Sequence, residues 1–303
     1  MHGRSADNRS VNYIDAHTHV WTDDTASYPL GIGWQPTDMQ PRRFTPEDFL
    51  RHARPCGVTR ANLIQMSYYY PREPGRISEI GYSFDNRYML DAIRQYPGVF
   101  VGTAVVDPLG ADPAGAMTEL ARQRVRAFRI APRLTRQPPA SWLAPDGCAK
   151  MFAAGAQHNL AMSCLIDLDG LPELDRMCQA FPDTPVIIDH LCRIGVDGVV
   201  RPADVDALCA MARHRRVMVK VGAFYALGRK EAPYLDLGPM IERVVGAFGA
   251  ERCMWETDCP FQVSGGHNYR DSIELVRSRL PFLSEGDRDW LLRRTAEVFF
   301  FAG

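Results

Sequence analysis

The chain has 303 residues, of which 46% are hydrophobic and 23% charged, the proportions of a globular protein with a sizeable core. This composition excludes the disordered and fibrous classes. Lys and Arg number 35 against 36 Asp and Glu, for a net charge of -1, and no basic run could follow a phosphate backbone. We therefore expect no nucleic-acid partner.

The N-terminal residues 1–10 are polar and lack the apolar core of a secretory signal. No stretch is long and apolar enough to span a bilayer. We expect a flexible tail over 1–10, one domain over 11–303, a cytoplasmic location and no membrane partner, with a homo-oligomer left open. The eight cysteines form no CxxC pair, which favours reduced thiols.

Short runs rich in β-branched residues predict eight strands along the chain. They lie at 11–17, 58–66, 99–107, 125–131, 160–167, 185–190, 217–222 and 253–258. Amphipathic stretches between them predict helices, among them 46–55, 86–95, 113–124, 171–180, 202–213 and 240–248. The eighth outer helix is expected within 284–301.

This strict alternation predicts parallel strands joined by crossover helices, and hence a single-domain (β/α)8 TIM barrel. An open doubly wound sheet is the structural alternative. Two long connections, 21–43 and 68–84, follow the first and second strands and should overhang the mouth of the barrel. We expect the substrate specificity to lie in these loops.

The first predicted strand ends in a His-Thr-His motif. Side chains two apart on a strand share a face, so His17 and His19 should project together into the mouth, spaced to grip one metal ion or one substrate group. Two histidines merely packed under the long loop are the alternative. The position of the motif at the tip of a strand favours function.

Two further ionisable residues end predicted strands. His190 ends the sixth strand and Asp258 ends the eighth. An isolated Asp before a turn is more often a cap or turn residue. In a closed barrel, however, strand eight adjoins strand one, so Asp258 should face the two histidines.

The chain resembles the amidohydrolase superfamily in residues 14–19 (IDAHTH), 187–190 (IIDH) and 255–260 (WETDCP). More narrowly, it is similar to the amidohydrolase-related branch, which includes sugar lactonases, pyrone dicarboxylate lactonase and aminocarboxymuconate semialdehyde decarboxylase. The likeness runs from Tyr13 to the last helix. It implies that His17, His19, His190 and Asp258 surround the substrate, with Asp258 as general base.

The sequence departs from the family members that hold two metals. These carry a modified lysine on strand four and a histidine on strand five, and neither residue occurs here, since His158 precedes strand five at the wrong end of the barrel. We expect at most one divalent metal, such as zinc, held by His17, His19 and Asp258. The lactonase-like members imply that activity without a metal is equally open.

Positive charge near the mouth should bind the substrate. The strand bearing Arg129 looks like the arginine-bearing strand of the lactonases, where it holds a carboxylate, and Arg133 lies just beyond it. Either arginine could instead be a solvated surface residue. Gln65 and Tyr225 are further candidates for polar contacts with the substrate.

The pattern favours an enzyme, a lactonase-like hydrolase of a small carboxylated or sugar-derived lactone or cyclic ester. In this reading Asp258 activates water and the histidines, or a metal they hold, stabilise the developing oxyanion. A metal-dependent decarboxylase of an aromatic or semialdehyde acid is the first alternative. A catalytically silent binding barrel is the second.

One buried ion pair is also predicted. Glu256 should point inward with Asp258 but one layer deeper, and a lone carboxylate there would be costly. If the inward face of strand seven carries Lys220, that residue lies at a comparable depth. We therefore expect a Lys220 to Glu256 ion pair beneath the site.

Overall fold

The computed structural model of the protein describes residues 12–31, 34–66 and 84–302. The predicted tail 1–10 and almost all of the predicted loop 68–84 lie outside these residues. All eight cysteines lie inside them and are free thiols, as the sequence predicts.

Eight parallel strands form one sheet in chain order. They are β1 (Tyr13–Thr18), β2 (Val58–Ile64), β3 (Phe100–Ala104), β4 (Val125–Ile130), β5 (Ala161–Cys164), β6 (Val186–Ile188), β7 (Val217–Val221) and β8 (Cys253–Trp255). Each strand pairs with the next in the sequence, from β1 to β8.

The ring closes between β1 and the residues that follow β8. Thr18 forms a parallel bridge with Cys259. The amide of Asp258 donates to the carbonyl of His17 at 2.9 Å, and the amide of His19 donates to the carbonyl of Cys259 at 2.8 Å. The predicted (β/α)8 barrel is therefore confirmed, and the open sheet is not adopted.

Helices cover the outside of the barrel. They are α1 (Pro46–Ala53), α2 (Arg87–Gln95), α3 (Pro113–Ala121), α4 (Pro132–Thr135), α5 (Asp146–His158), α6 (Leu171–Ala180), α7 (Pro202–Ala210), α8 (Gly238–Phe248), α9 (Tyr269–Glu274) and α10 (Glu285–Asp289). Thr45 begins α1 with a capping box, which the Thr-Pro-Glu-Asp sequence favours. In the described part of the chain, no helix has both the length and the apolar character needed to cross a membrane.

The inside of the barrel has an apolar lower layer and a polar upper layer. The lower layer is one cluster of buried side chains, made of Ile14, Ala16, Val101, Ala127, Ala161, Ile187 and Met254 with Ala296 and Phe300 from the C-terminal segment. Two residues further along the strands, the inward positions are polar and buried: Thr103, Arg129, Ser163, Asp189, Lys220 and Glu256. The polar layer forms the floor of the mouth.

A β-bulge in β1 determines which of its residues point inward. Ile14 and Ala16 belong to the interior cluster, whereas Asp15 accepts a hydrogen bond from the hydroxyl of Tyr269 on α9, outside the ring. The register of β1 against β2 shifts between Asp15 and Thr18. This extra residue turns His17 inward directly after Ala16.

All eight strands are shorter than predicted, and at β6 and β8 the chain leaves the extended conformation just before the functional residues. β6 ends at Ile188 and β8 at Trp255. His190 and Asp258 follow with left-handed backbones, φ 54° and 62°. β5 likewise ends at Cys164, three residues before the predicted end. The predicted last helix over 284–301 is α10 followed by wider π-helical turns through Phe301.

The C-terminal segment closes the bottom of the barrel, so truncating its buried aromatic residue should destabilise the fold. Phe300 is 1% exposed, whereas Val298 is 62% exposed. We expect Phe300→Ala to lower the free energy of unfolding by about 3–5 kcal/mol, and Val298→Ala to change it by less than about 0.5 kcal/mol. Urea unfolding of both variants measures these free energies. Equal effects of the two substitutions would contradict the conclusion that Phe300 closes the bottom of the barrel.

Candidate active site

A cavity of about 320 Å³ opens at the C-terminal end of the barrel, which is where active sites of this fold lie. Its volume is in the range of small-molecule sites. The lining residues are His19, Trp21, Trp34, Asp38, Met39, Gln40, Met66, Arg129, Leu165, His190, Arg193, Val196, Ala223, Tyr225, Ala226, Leu227, Asp258 and Phe261. Trp21, Trp34 and Met39 come from the connection after β1, which therefore overhangs the mouth as predicted.

Three atoms converge at the floor of this cavity. His17 Nε2 lies 3.2 Å from His19 Nε2, His19 Nε2 lies 3.0 Å from Asp258 Oδ1, and Asp258 Oδ1 lies 3.5 Å from His17 Nε2. We call these three atoms the donor triangle. The sequence predicted that its three residues meet, and they do.

The other ring nitrogens of the two histidines have different partners. His19 Nδ1 lies 3.0 Å from the carbonyl oxygen of Ile64 and can only donate to it. His17 Nδ1 lies 3.2 Å from Nζ of Lys220. Burial lowers the pKa of both histidines, and the positive charge of Lys220 lowers that of His17 further. Both rings are therefore neutral near pH 7.

His190 is held by the carboxylate of Glu256, the residue that directly follows β8. Its Nδ1 lies 2.8 Å from Oε1 of Glu256, so Nε2 is the ring nitrogen left for the cavity that His190 lines. Burial alone would lower the pKa of His190, but the charges of Glu256 and Asp258 outweigh it and raise that pKa. His190 is thus suited to donate a proton or hydrogen bond.

Asp258 is positioned by groups on three sides. Tyr225 donates its hydroxyl hydrogen to Oδ2 at 2.6 Å, while Oδ1 belongs to the donor triangle. Burial would raise the pKa of Asp258, but the positive charge on His190 outweighs it and holds that pKa below its ordinary value. Asp258 is therefore an ionised carboxylate beside the cavity.

The predicted Lys220 to Glu256 ion pair is wrong. Lys220 is fully buried and points inward, as predicted. Its Nζ, however, lies 2.8 Å from Oδ1 of Asp189. Glu256, which the structure also describes, forms its ion pair with His190 and none with Lys220. The strand register explains this: Ile188 pairs with Val219, which puts Asp189 level with Lys220.

Glu256 is offset from Lys220 by two residues in the strand register, whereas we predicted the two at a comparable depth. Lys220 pairs with Met254, so Glu256 is level with Gly222. A Cβ at Gly222 would approach Cδ of Glu256 to 2.7 Å, so the glycine leaves room for this carboxylate. At this height Glu256 reaches His190 instead.

Arg129 is a predicted substrate-binding residue that lines the cavity and is almost wholly buried. It is 3% exposed, and its Nη2 lies 3.6 Å from Oδ2 of Asp189. No acceptor within the described ranges hydrogen-bonds its buried Nε. Arg129 therefore has hydrogen-bonding capacity for a ligand.

The other predicted binding residues divide into two groups. Tyr225 lines the cavity. Arg133 lies instead in an adjoining cavity of about 160 Å³, which shares Arg129 and Arg193 with the first. Gln65 does not line either cavity, because its side-chain amide donates to the carbonyls of Met66 and Asp85.

Sequence reasoning missed Asp189 and Ser163 as parts of the site. The hydroxyl of Ser163 donates to Asp189 Oδ1 at 2.9 Å, and Lys220 donates to the same carboxylate. Burial would raise the pKa of Asp189, but the positive charge of Lys220 outweighs burial and holds that pKa well below its usual range. The signal was present, since both residues occupy inward positions two after apolar ones on their strands.

The donor triangle is able to hold a divalent metal. Zinc bound to nitrogen and oxygen at about 2.0–2.2 Å in tetrahedral geometry separates neighbouring ligand atoms by about 3.3 Å. The edges of the triangle, 3.0 to 3.5 Å, match this spacing. A second group, His17, His190 and Glu256, also brings three ligand atoms within 4.8 Å of one another, but it shares His17 with the first.

Comparison with known proteins agrees with this geometry. The amidohydrolase family model (Amidohydro_2) matches residues 14–302. The L-fucono-1,5-lactonase of Burkholderia ambifaria is 26% identical over 255 residues, which cover 84% of this chain and 82% of that one.

Solved structures share the fold. A candidate 2-pyrone-4,6-dicarboxylic acid hydrolase from Pseudomonas putida superposes with a TM-score of 0.75 at 23% identity, over 96% of this chain and 97% of that one. An amidohydrolase from Burkholderia multivorans with bound zinc gives 0.74 at 17% identity, over 96% and 100%. The 5-carboxyvanillate decarboxylase of Novosphingobium aromaticivorans, with bound manganese, gives 0.65 at 12% identity, over 99% of each chain.

The Lys220 to Asp189 ion pair should be visible in a double-mutant cycle. Because both side chains are fully buried, we expect Lys220→Met and Asp189→Asn each to cost about 3–5 kcal/mol of unfolding free energy. Together they should cost clearly less than the two single costs added. The same cycle between Lys220→Met and Glu256→Gln should show a smaller coupling, and a larger one there would refute the observed pairing.

Proposed function

Because the chain belongs to the amidohydrolase family and is a hydrolase, we propose that it hydrolyses a small lactone, with Asp258 as the general base. The observation that carries the proposal is the placement of an ionised Asp258 beside a donor-rich cavity, between Tyr225 and the two neutral histidines. The similarity to a lactonase over most of the chain supports it.

The reaction would begin with water bound against Asp258. As the water oxygen attacks the carbonyl carbon of the lactone, Asp258 accepts one proton from that water, which supplies a nucleophile without free hydroxide. Tyr225, hydrogen-bonded to Oδ2, holds the carboxylate in position. Collapse of the tetrahedral intermediate then breaks the bond to the ring oxygen.

The developing negative charge would be met by hydrogen-bond donors at the floor of the cavity. His190 donates from Nε2, since Glu256 engages its Nδ1. It can first stabilise the oxyanion and then protonate the departing ring oxygen, because its raised pKa keeps a proton available. Water and lactone thereby become one hydroxy acid.

A divalent metal, where bound, would be held by His17, His19 and Asp258 and would supply Lewis-acid polarisation of the carbonyl. The roles of Tyr225 and His190 given above are the same with or without it.

Arg129 would set the preference for the substrate. Its buried guanidinium lines the cavity, and its Nε has no partner among the described residues. A carboxylate, or a hydroxyl-rich edge of a sugar lactone, would accept hydrogen bonds from it and fix the ring against Asp258. We infer a substrate that is carboxylated or sugar-derived.

A panel assay tests the function. Purified protein, with and without a chelator, is given sugar 1,5-lactones, carboxylated pyrones, simple aryl esters and carboxylated phenols, and proton release and CO₂ are both measured. Ring opening of one of the first two classes is expected. Release of CO₂ from the phenols would replace hydrolysis by decarboxylation, and no turnover of any compound would favour a binding protein.

Removing the base should slow turnover strongly. Asp258→Asn keeps the shape of the side chain but cannot accept the proton, so kcat should fall by at least roughly a hundredfold. Glu242→Gln, an exposed carboxylate on α8, serves as the control and should leave kcat unchanged. Near-normal turnover by Asp258→Asn would show that Asp258 is not the general base.

Removing the guanidinium of Arg129 should weaken the binding of carboxylated substrates more than that of uncharged ones. Arg129→Met should raise KM for carboxylated lactones by roughly tenfold or more, because a charge-assisted hydrogen bond is lost. KM for uncharged lactones should change less. Arg126→Met on the same strand is the matched control, since that guanidinium donates to the carbonyls of Ala121 and Val125 away from the cavity. An equal rise for all substrates would contradict a carboxylate-binding role.

A further inference from the structure

The donor triangle is asymmetric in the groups behind its two histidines. A histidine that ligates a metal through Nε2 normally donates its Nδ1 hydrogen to a carboxylate, a backbone carbonyl or water. His19 meets this rule, because its Nδ1 faces the carbonyl oxygen of Ile64 at 3.0 Å. His17 does not, because its Nδ1 faces the Nζ of Lys220 at 3.2 Å.

An ammonium group has three hydrogens and no lone pair, so it can only donate. Lys220 has one acceptor for each of these hydrogens: Asp189 Oδ1 at 2.8 Å, His17 Nδ1 at 3.2 Å and Ser163 Oγ at 3.4 Å. The Asp189 carboxylate is farther from His17 Nδ1, at 3.8 Å. His17 Nδ1 therefore accepts from Lys220, and the ring carries its hydrogen on Nε2.

That hydrogen points into the donor triangle. His17 Nε2 lies 3.2 Å from His19 Nε2, which has a free lone pair because His19 donates from Nδ1, and 3.5 Å from Asp258 Oδ1. The hydrogen on His17 Nε2 is thus shared between His19 Nε2 and Asp258 Oδ1, and it lies where a metal ion bound by the donor triangle would lie. A metal could use His17 only after this hydrogen had moved to Nδ1, against the ammonium.

We propose that Lys220, anchored by Asp189, is a positioning residue that fixes His17 in the tautomer with hydrogen on Nε2 and thereby lowers the affinity of the donor triangle for a divalent metal. The site then presents His17 as a hydrogen-bond donor, while His19 remains available as a lone-pair donor. Since the proposal concerns a proton position and a metal affinity, its failure is separable from failure of the proposed reaction.

The tautomers can be measured directly in the metal-free wild-type protein. NMR of protein labelled with 15N at histidine, treated with a chelator, correlates each ring nitrogen with the ring hydrogens, and loss of signals in His17→Ala assigns the residue. We expect a bare Nδ1 with protonated Nε2 for His17 and the reverse for His19. A protonated Nδ1 on His17 would overturn the proposal.

Zinc titration against a competing chelator gives an independent measurement. Lys220→Met should bind zinc roughly ten- to a hundredfold more tightly than the wild type, the size of effect that groups behind a metal ligand have. The gain should vanish when His17→Ala is added. Ser163→Ala is the matched control: it removes one contact of Lys220 but leaves the ammonium beside His17, so the affinity should stay near the wild-type value.

Lys220→Met leaves the Asp189 carboxylate buried without its counter-charge and can impair folding. The double variant Lys220→Met with Asp189→Asn removes both charges and should show the same increase in zinc affinity. Unchanged or weaker zinc binding in the folded variants would refute the proposal. So would a gain that persists without His17.

Discussion

The site depends on how the barrel closes. Between β1 and the end of β8 the ring is joined by backbone hydrogen bonds of Asp258 with His17 and of His19 with Cys259. The residues that close the fold are thus the residues that form the donor triangle, and one cannot move without the other. Asp15 reinforces this seam from outside, accepting hydrogen bonds from the backbone amides on both sides, at 3.1 and 3.0 Å. Burial raises the pKa of Asp15 to about 7.

The backbone is strained shortly after three strands, at residues whose side chains line the cavity. His190, Ala223 and Asp258 follow β6, β7 and β8 with φ of 54°, 51° and 62°. A left-handed conformation costs a residue with a Cβ about 1–2 kcal/mol. All three residues line the cavity. The conformational free energy that these turns cost must therefore be offset by the packing of the barrel beneath them. A more relaxed backbone would continue the strand and point these side chains differently.

The alternation of strands and helices made the barrel predictable, and strand ends made His190 and Asp258 predictable, since both are local patterns in the chain. The inward direction of Lys220 also followed from the two-residue period of its strand. Its partner did not follow, because two neighbouring strands offer a carboxylate and only the register selects Asp189 over Glu256. Register is a property of the closed ring. No pattern within a single strand contains it.

The charges inside the mouth balance before any ligand enters. The positive charge of Lys220 is offset by Asp189, and that of His190 is offset by Glu256. This leaves the positive charge of Arg129, which lines the cavity, and the negative charge of Asp258, which lies beside the neutral histidines in the donor triangle. A divalent cation would add two positive charges to a buried region that already holds Lys220. A carboxylated lactone, the substrate class that we propose, or the oxyanion formed from it, would add negative charge next to Arg129 and His190, which have hydrogen-bond donors for it. These charges sum to zero, so the preference of the mouth for one ligand over another comes from where its hydrogen-bond donors and lone pairs lie, and not from a net charge.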